Sequence, residues 1–410
     1  MSLRFGAFLA PHHLMGESPT LQLQRDLDLV EHLDRLGYDE FWCGEHHSTG
    51  WETIASPEMF LAAAAVRTHR IGLGTGVTSI PYHHPFHVAQ KIVQLDHMSR
   101  GRAILGTGPG ALPSDAHTLG IDPMVLRDRQ DEAIPVIQRL LAGAERFSYE
   151  SEWFTLRDAA LQILPYQRDV HMTTASMVSP SGMTLAGKHG LGVLSLGSMS
   201  TAGLASLPLQ WSFAEEAAEQ SGRVVDRANW RIVFSSHVAE TREQARAEVE
   251  HGLLRWHNEY NVGTLQRPGL NAFASTAEAI EFHANPESSA GVIGTPDDLI
   301  ANIRRMQDIT GGFGMVLNFA HDWANPEASN RSWDLIARHV IPEINGQIEP
   351  MRASNAWVSE NRESFTRAGE AIMSKIAANA RAVAALADAG VGSQSITPHV
   401  SLDDDPTAVS

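Results

Sequence analysis

Short apolar runs of strand type alternate with segments of helical periodicity through about residue 345, and this rhythm constrains the fold more than any single motif. The runs are 3–10, 38–44, 70–80, 101–108, 169–175, 191–197, 229–239 and 312–320. Between the first two, Leu23, Leu27, Val30, Leu33 and Leu36 recur at three- and four-residue spacings and stop at Gly37, the pattern of an amphipathic helix with a glycine cap. Residues 56–69 read as a helix with Ser56 as N-cap and Pro57 in its first turn, and 84–99 as a third. Further helices are expected at 180–188, 201–221, 241–258 and 329–345. Eight strand–helix units predict a (β/α)8 TIM barrel, a fold of roughly 250 residues, with the surplus in insertions at 108–123, 145–165 and 259–293. A doubly wound open sheet is the alternative architecture. After Pro350 the chain turns Ala-rich and helical and then polar and acidic, so the expected division is a barrel over 1–349 and a helical C-terminal extension over 350–410 with a disordered end.

Composition narrows the partners. Thirty-one basic against 48 acidic residues give a net charge of −17, a field that repels nucleic-acid backbones and anionic membrane surfaces. Cys43 is the single cysteine, which excludes an internal disulfide framework and a cysteine-rich zinc site. The start, MSLRFGAFLAPHH, does not read as a signal peptide, and no apolar run approaches the roughly 20 residues that span a bilayer. The expectation is a cytoplasmic protein without a nucleic-acid or membrane partner.

In such a barrel the side chains just past the strand ends face the active site. There the sequence places His12 and His13, then Glu45, His46 and His47, then Tyr82, His83, His84 and His87. A metal site is one reading of so many imidazoles, and a structural histidine is the plain reading of any one. Neighbours on an extended strand point to opposite faces, so His46 and His47 are poorly disposed to share an ion, and there is no HExxH pair. Cys43, within an apolar strand, reads as a structural thiol. Ser176, Ser179 and Ser181 surround a helix start, where backbone N–H groups and the helix dipole receive a phosphate. Arg127 and Arg129 precede a helix running to Leu141 and can pair with the same anion. Gly72, Gly74 and Gly76 leave one face of the third strand bare, so a flat ring could approach the backbone. There is no GxGxxG and no P-loop, so no built-in NAD site is indicated.

The stretch EHHSTGW, followed by SPEMFLAAAAVRTHRIGLGTGV and GRAILGTGPG, with SPSGMTLAGKHGLG and a late VIGTPDDLIANIRRM further on, resembles the bacterial luciferase-like flavin monooxygenase family from about residue 3 to 345. The resemblance implies a barrel that binds reduced FMN delivered by a separate reductase. It implies reaction of that flavin with O2 through a C4a-hydroperoxide, and insertion of one oxygen into a hydrophobic small molecule, for instance as epoxidation of a terpenoid alkene. The family's catalytic histidine maps onto His46, with Glu45 and His47 in support. The ring-contacting backbone maps onto Gly76 and Val77, where some members have a non-prolyl cis peptide, and the phosphate contacts onto Arg127, Ser179 and Ser181. After the fourth strand Gly108, counted with the cofactor-binding positions, and Pro109 stand where luciferase itself has a cysteine and an arginine, which argues against light emission. A homodimer is the assembly the resemblance implies, and no metal. The rival readings are an F420-dependent hydride transfer, a non-catalytic flavin-binding barrel and a metal-dependent hydrolase.

Overall fold

The computed structural model describes residues 2–10, 12–196, 201–266 and 270–388; the acidic end expected to be disordered lies outside them. Eight strands, β1 (Arg4–Leu9), β2 (Glu40–Cys43), β3 (Gly72–Thr75), β4 (Ala103–Gly108), β5 (His171–Ser176), β6 (Gly192–Ser195), β7 (Trp230–Phe234) and β8 (Met315–Phe319), pair in parallel in the order β3-β2-β1-β8-β7-β6-β5-β4. Pairing of Leu73 with Ala103 and of Gly74 with Ile104 joins β4 back to β3. The sheet is therefore a closed barrel, which rules out the open-sheet alternative. Seven of these strands fall within the expected apolar runs, as parallel strands buried on both faces tend to be apolar, and β5 overruns its run, 169–175, by Ser176. Around it lie α1 (Pro19–Leu36), α2 (Pro57–Arg67), α3 (Pro85–Ser99), α4 (Pro113–Thr118), α5 (Leu126–Leu141), α6 (Ser181–His189), α7 (Thr201–Gln220), α8 (Arg242–Val249), α9 (Thr276–Ala284), α10 (Pro296–Thr310) and α11 (Pro326–Leu335).

The barrel interior corrects one expectation. A Cβ added to Gly74 would lie 2.5 Å from the Trp42 ring, and one added to Gly106 2.8 Å from it. The bare glycine faces of β3 and β4 thus receive an indole from β2, and Trp42 is fully buried. Its ring N–H donates to Glu40 Oε2 at 2.9 Å. Glu40 also accepts from Arg231 at 2.6 and 2.8 Å and from Arg4 at 2.9 Å, at the amino ends of β2, β7 and β1. Burial pushes the Glu40 pKa up, but the Arg231 guanidinium outweighs it and the net shift is downward.

The second half departs from simple alternation. Past Ser235 the β7 segment leaves the barrel, and Ser236–Val238 pairs instead with Val292–Gly294. The helix expected over 241–258 breaks. α8 ends at Val249, Gly252 passes against the Asp322 carbonyl where no Cβ fits, and the chain resumes as Leu253–Arg255 and a π-helical run, Trp256–Thr264. α10 was not among the expected helices, although its Thr295/Asp298 capping box is a local start signal. The described residues up to 345 form one compact unit and those from 346 to 388 belong to a second, whose helices Glu349–Glu360 and Arg362–Ala377 bury no residue. No helix among the described residues is long and apolar enough to cross a membrane.

Candidate active site

The carboxyl ends of the strands open into a cavity of about 670 Å³. Its wall nearest β2 is built by the turn Gly44–Glu45–His46, after which the chain folds back: the His46 N–H donates to the Ile54 carbonyl at 3.1 Å. That closure returns Glu52 to the cavity wall beside His46. The His46 ring then sits between two acids. Nδ1 lies 3.1 Å from Asp115 Oδ2 and Nε2 lies 3.4 Å from Glu52 Oε1. Burial pulls the His46 pKa down, but the Glu52 and Asp115 carboxylates outweigh it, and the net shift is upward. Asp115, on α4, also accepts from the His47 backbone N–H at 3.1 Å and from the Ser48 hydroxyl. Burial raises its pKa and the bonds from His46 and Ser48 outweigh that, so it is lowered overall. Neither Asp115 nor Glu52 was singled out from sequence.

Glu45 takes a different part. Its carboxylate accepts from the Ser79 N–H at 2.7 Å and pairs with His47 Nε2 at 2.9 Å and His83 Nε2 at 2.6 Å. Burial raises its pKa, and the bonds from His47 and His83 carry it downward on balance. Glu45 lines the cavity and His47 does not; its Glu45 bond raises the His47 pKa against burial. The apparent crowd of imidazoles thus divides into separate tasks. His13 is buried between Asp26 at 2.7 Å and Thr53 at 2.9 Å. His12 stacks on Trp51, with ring centroids 5.4 Å apart, and packs against a tilted Tyr260 ring at 4.5 Å. Burial drives its pKa down to about 3. His84 caps α3 by accepting from the Phe86 N–H. Of the histidines described, His46 alone lines this cavity, and no group of three or more His, Cys, Asp or Glu among the described residues is placed to hold a metal ion.

At the other end, Ser179, Ser181 and Gly182 at the start of α6 and Arg127 in the first turn of α5 line the same cavity. The Ser179 and Ser181 hydroxyls are 2.9 Å apart. Ser176 is buried below them and does not line it. Arg129 lies 5.3 Å over the Trp153 ring, away from this group. A cation missed from sequence, Lys188, lines the cavity two turns along α6 and is tied to Asp131 at 2.7 Å. Gly76 and Val77 form part of the wall between the two ends, and the peptide bond joining them is cis. Gly108 is the residue the structure moves out of the site: a Cβ there would strike the Val77 side chain, so Val77 covers it, and the cavity is reached only at Pro109 and Gly110. Phe8, Leu196, Tyr260, Leu265 and Phe319 contribute an apolar part of the wall, Tyr260 and Leu265 coming from the insertion whose structure periodicity did not reveal, while Asp128, Gln130 and Asp131 add polar groups to it.

A cluster of Ser179, Ser181 and Arg127 and an acid-held imidazole thus line one cavity at the carboxyl mouth of a closed parallel barrel, the place where barrel enzymes carry their active sites. Residues 3–311 match the model of the luciferase-like monooxygenase family. Limonene 1,2-monooxygenase of Rhodococcus erythropolis is 48% identical over 361 residues, 88% of this chain and 92% of that protein. 4-Hydroxyprotoasukamycin monooxygenase of Streptomyces nodosus subsp. asukaensis is 46% identical, over 87% of this chain and 96% of its own length. The FMN complex of the oxygenating constituent of 3,6-diketocamphane monooxygenase from Pseudomonas putida shares the fold, with a TM-score of 0.71 at 24% identity over 83% of this chain and 99% of that one. The chain belongs to the luciferase-like monooxygenase family.

Proposed function

We propose that this reduced-FMN-dependent monooxygenase inserts one oxygen of O2 into a hydrophobic small molecule, with epoxidation of a terpenoid alkene as its reaction. The observation that carries the substrate class is the apolar wall of Phe8, Leu196, Tyr260, Leu265 and Phe319 in the cavity that His46 lines. The Rhodococcus and Streptomyces relatives, both monooxygenases by name, support the same reading. The residues present suit FMN. Arg127, the Ser179 and Ser181 hydroxyls and the amino end of α6 would hold the phosphate, and Gly182, where a Cβ would collide with the Ala175 carbonyl, lets α6 start close against the end of β5. Gly76 and Val77 would support the ring. Reduced flavin, when bound, supplies two electrons and two protons, so that one O2 oxygen enters the product and the other leaves as water.

The chain's own work is to position and to protonate. His46, between Asp115 and Glu52, is disposed to donate a proton from Nε2 into the cavity. Asp115 would fix the ring through Nδ1, and Glu45, with His47 and His83, would brace the turn that carries it. The apolar wall would exclude the water that diverts oxygen to peroxide. Reduced flavin would come from a separate reductase by diffusion, in keeping with the absence of an NAD fingerprint, and we place the enzyme in the cytoplasm as a homodimer with its catalytic machinery wholly within residues 1–345. The test is incubation of purified protein with photoreduced FMN, ¹⁸O2 and a panel of terpenes and ketones. Product carrying one ¹⁸O is expected; complete conversion of the electrons to H2O2 with every substrate would reject this function.

A further inference from the structure

Glu52 is 5% exposed, yet one of its carboxylate oxygens, Oε2, has no hydrogen-bond partner among the described residues. Its other oxygen faces His46 Nε2 at 3.4 Å. The residue is fixed from the backbone: it forms an antiparallel bridge with His12, and its neighbour Trp51 accepts from the His13 N–H at 2.6 Å. A buried carboxylate left half-paired is costly, and a positive charge alongside is what makes its ionised form tenable. Here that charge can come from His46.

We propose that Glu52 is a positioning residue that keeps His46 as an imidazolium on the cavity wall, so that the Nε2 proton waits there for the reacting ligand. The proposal rests on His46 being the group that serves the reaction. The groups facing His46 are the carboxylates of Glu52, Asp115 and Glu45, and against them the neighbouring His47. Asp115 meets Nδ1, on the far side of the ring, so Glu52 is the acid on the nitrogen left for the ligand. At 3.4 Å the Glu52 contact is longer than a good N–H···O bond, which leaves the proton free to turn to a better-placed acceptor. The upward net shift at His46, against the pull of burial, agrees with this arrangement. An imidazolium can donate and cannot accept. A neutral imidazole in the same place would be a base, and a base favours the side reaction in which reduced flavin and O2 give oxidised flavin and H2O2.

The experiment compares wild type, Glu52→Gln and Glu52→Asp. His46 is titrated by NMR in ¹³C,¹⁵N-histidine-labelled, flavin-free protein, its signal assigned by absence in His46→Gln. Peroxide released per FMNH2 consumed is then measured from pH 6 to 9 with substrate present. Glu52→Gln should lower the His46 pKa by about one unit or more and move the rise in peroxide to lower pH by a similar interval. Glu52→Asp, which keeps the charge, should retain most of both properties, whereas a packing defect would appear in both variants alike. An unchanged His46 pKa in Glu52→Gln overturns the proposal. A lowered pKa with an unmoved peroxide profile upholds the pairing and overturns the assignment of His46 to the reaction, so the two failures are distinguishable.

Discussion

Two buried ionic clusters lie at opposite ends of β2 and are finished differently. At the amino end both oxygens of Glu40 are engaged, by Arg231, Arg4 and Trp42, and the group is shut inside the barrel. Beyond the carboxyl end, His46 also stands between charged partners, but the Glu52 contact is long and Glu52 Oε2 has no partner among the described residues. A fully satisfied buried network fixes a fold; one with a free valence on a cavity wall is poised to exchange a proton. The same ingredients are thus closed off below and left open above, where the proposed chemistry would use them.

If that contrast holds, mutations at the two ends should fail in different ways. The largest effect is expected below: Arg231→Met leaves Glu40 buried beside the single remaining guanidinium of Arg4 and should cost about 3–5 kcal/mol of stability, read from urea unfolding. A loss under about 1 kcal/mol would show that the lower cluster is not structural. Next comes acid sensitivity. Burial holds His12 and His283 neutral, with pKa values lowered to about 3. Their stabilisation is complete above the ordinary histidine value near 6.5 and is lost as pH falls from there toward 3, with a slope of up to about 1.4 kcal/mol per pH unit for each. His46 has the opposite sign: its pKa is raised, so its contribution is complete below about 6.5 and fades as pH rises through the raised value. Urea midpoints between pH 7.5 and 4.5 should fall in wild type and fall less steeply in His12→Phe, which keeps an aromatic ring on Trp51 and leaves the His283 contribution in place. The smallest effect separates the two ends of the cavity itself. Arg127→Ala should weaken FMN binding about tenfold and leave riboflavin, which lacks the phosphate, unchanged; equal weakening of both would remove Arg127 from the phosphate site.

Most strands were legible as short, largely apolar runs bounded by polar turns, although β5 (His171–Ser176) is mainly polar and was legible only from its place in the strand–helix rhythm. The region from 241 to 293 was not. Its helix breaks at Gly252 because the Asp322 carbonyl packs against that backbone, a contact between residues 70 apart that no local periodicity encodes. The glycines of β3 and β4 announced that something flat comes close, and they could not say that it was Trp42 rather than a cofactor. His46 was legible as part of a motif. Its two acids were not, since Asp115 arrives from α4, after a different strand, and Glu52 returns only through the closure of His46 N–H on Ile54. His47, adjacent and identical in type, is turned away to Glu45, beyond the end of β2 at Cys43, so its direction is set by that hydrogen bond rather than by strand alternation.

The role of His46 is tested most directly by coupling in His46→Gln: oxygenated product and H2O2 per FMNH2 consumed, at pH 7, beside wild type. The expected result is a folded protein that binds FMN as wild type does, loses product by roughly 10²–10⁴-fold and releases nearly all the oxygen as peroxide. Unchanged coupling in that variant would contradict a proton-donating His46 at the centre of this site.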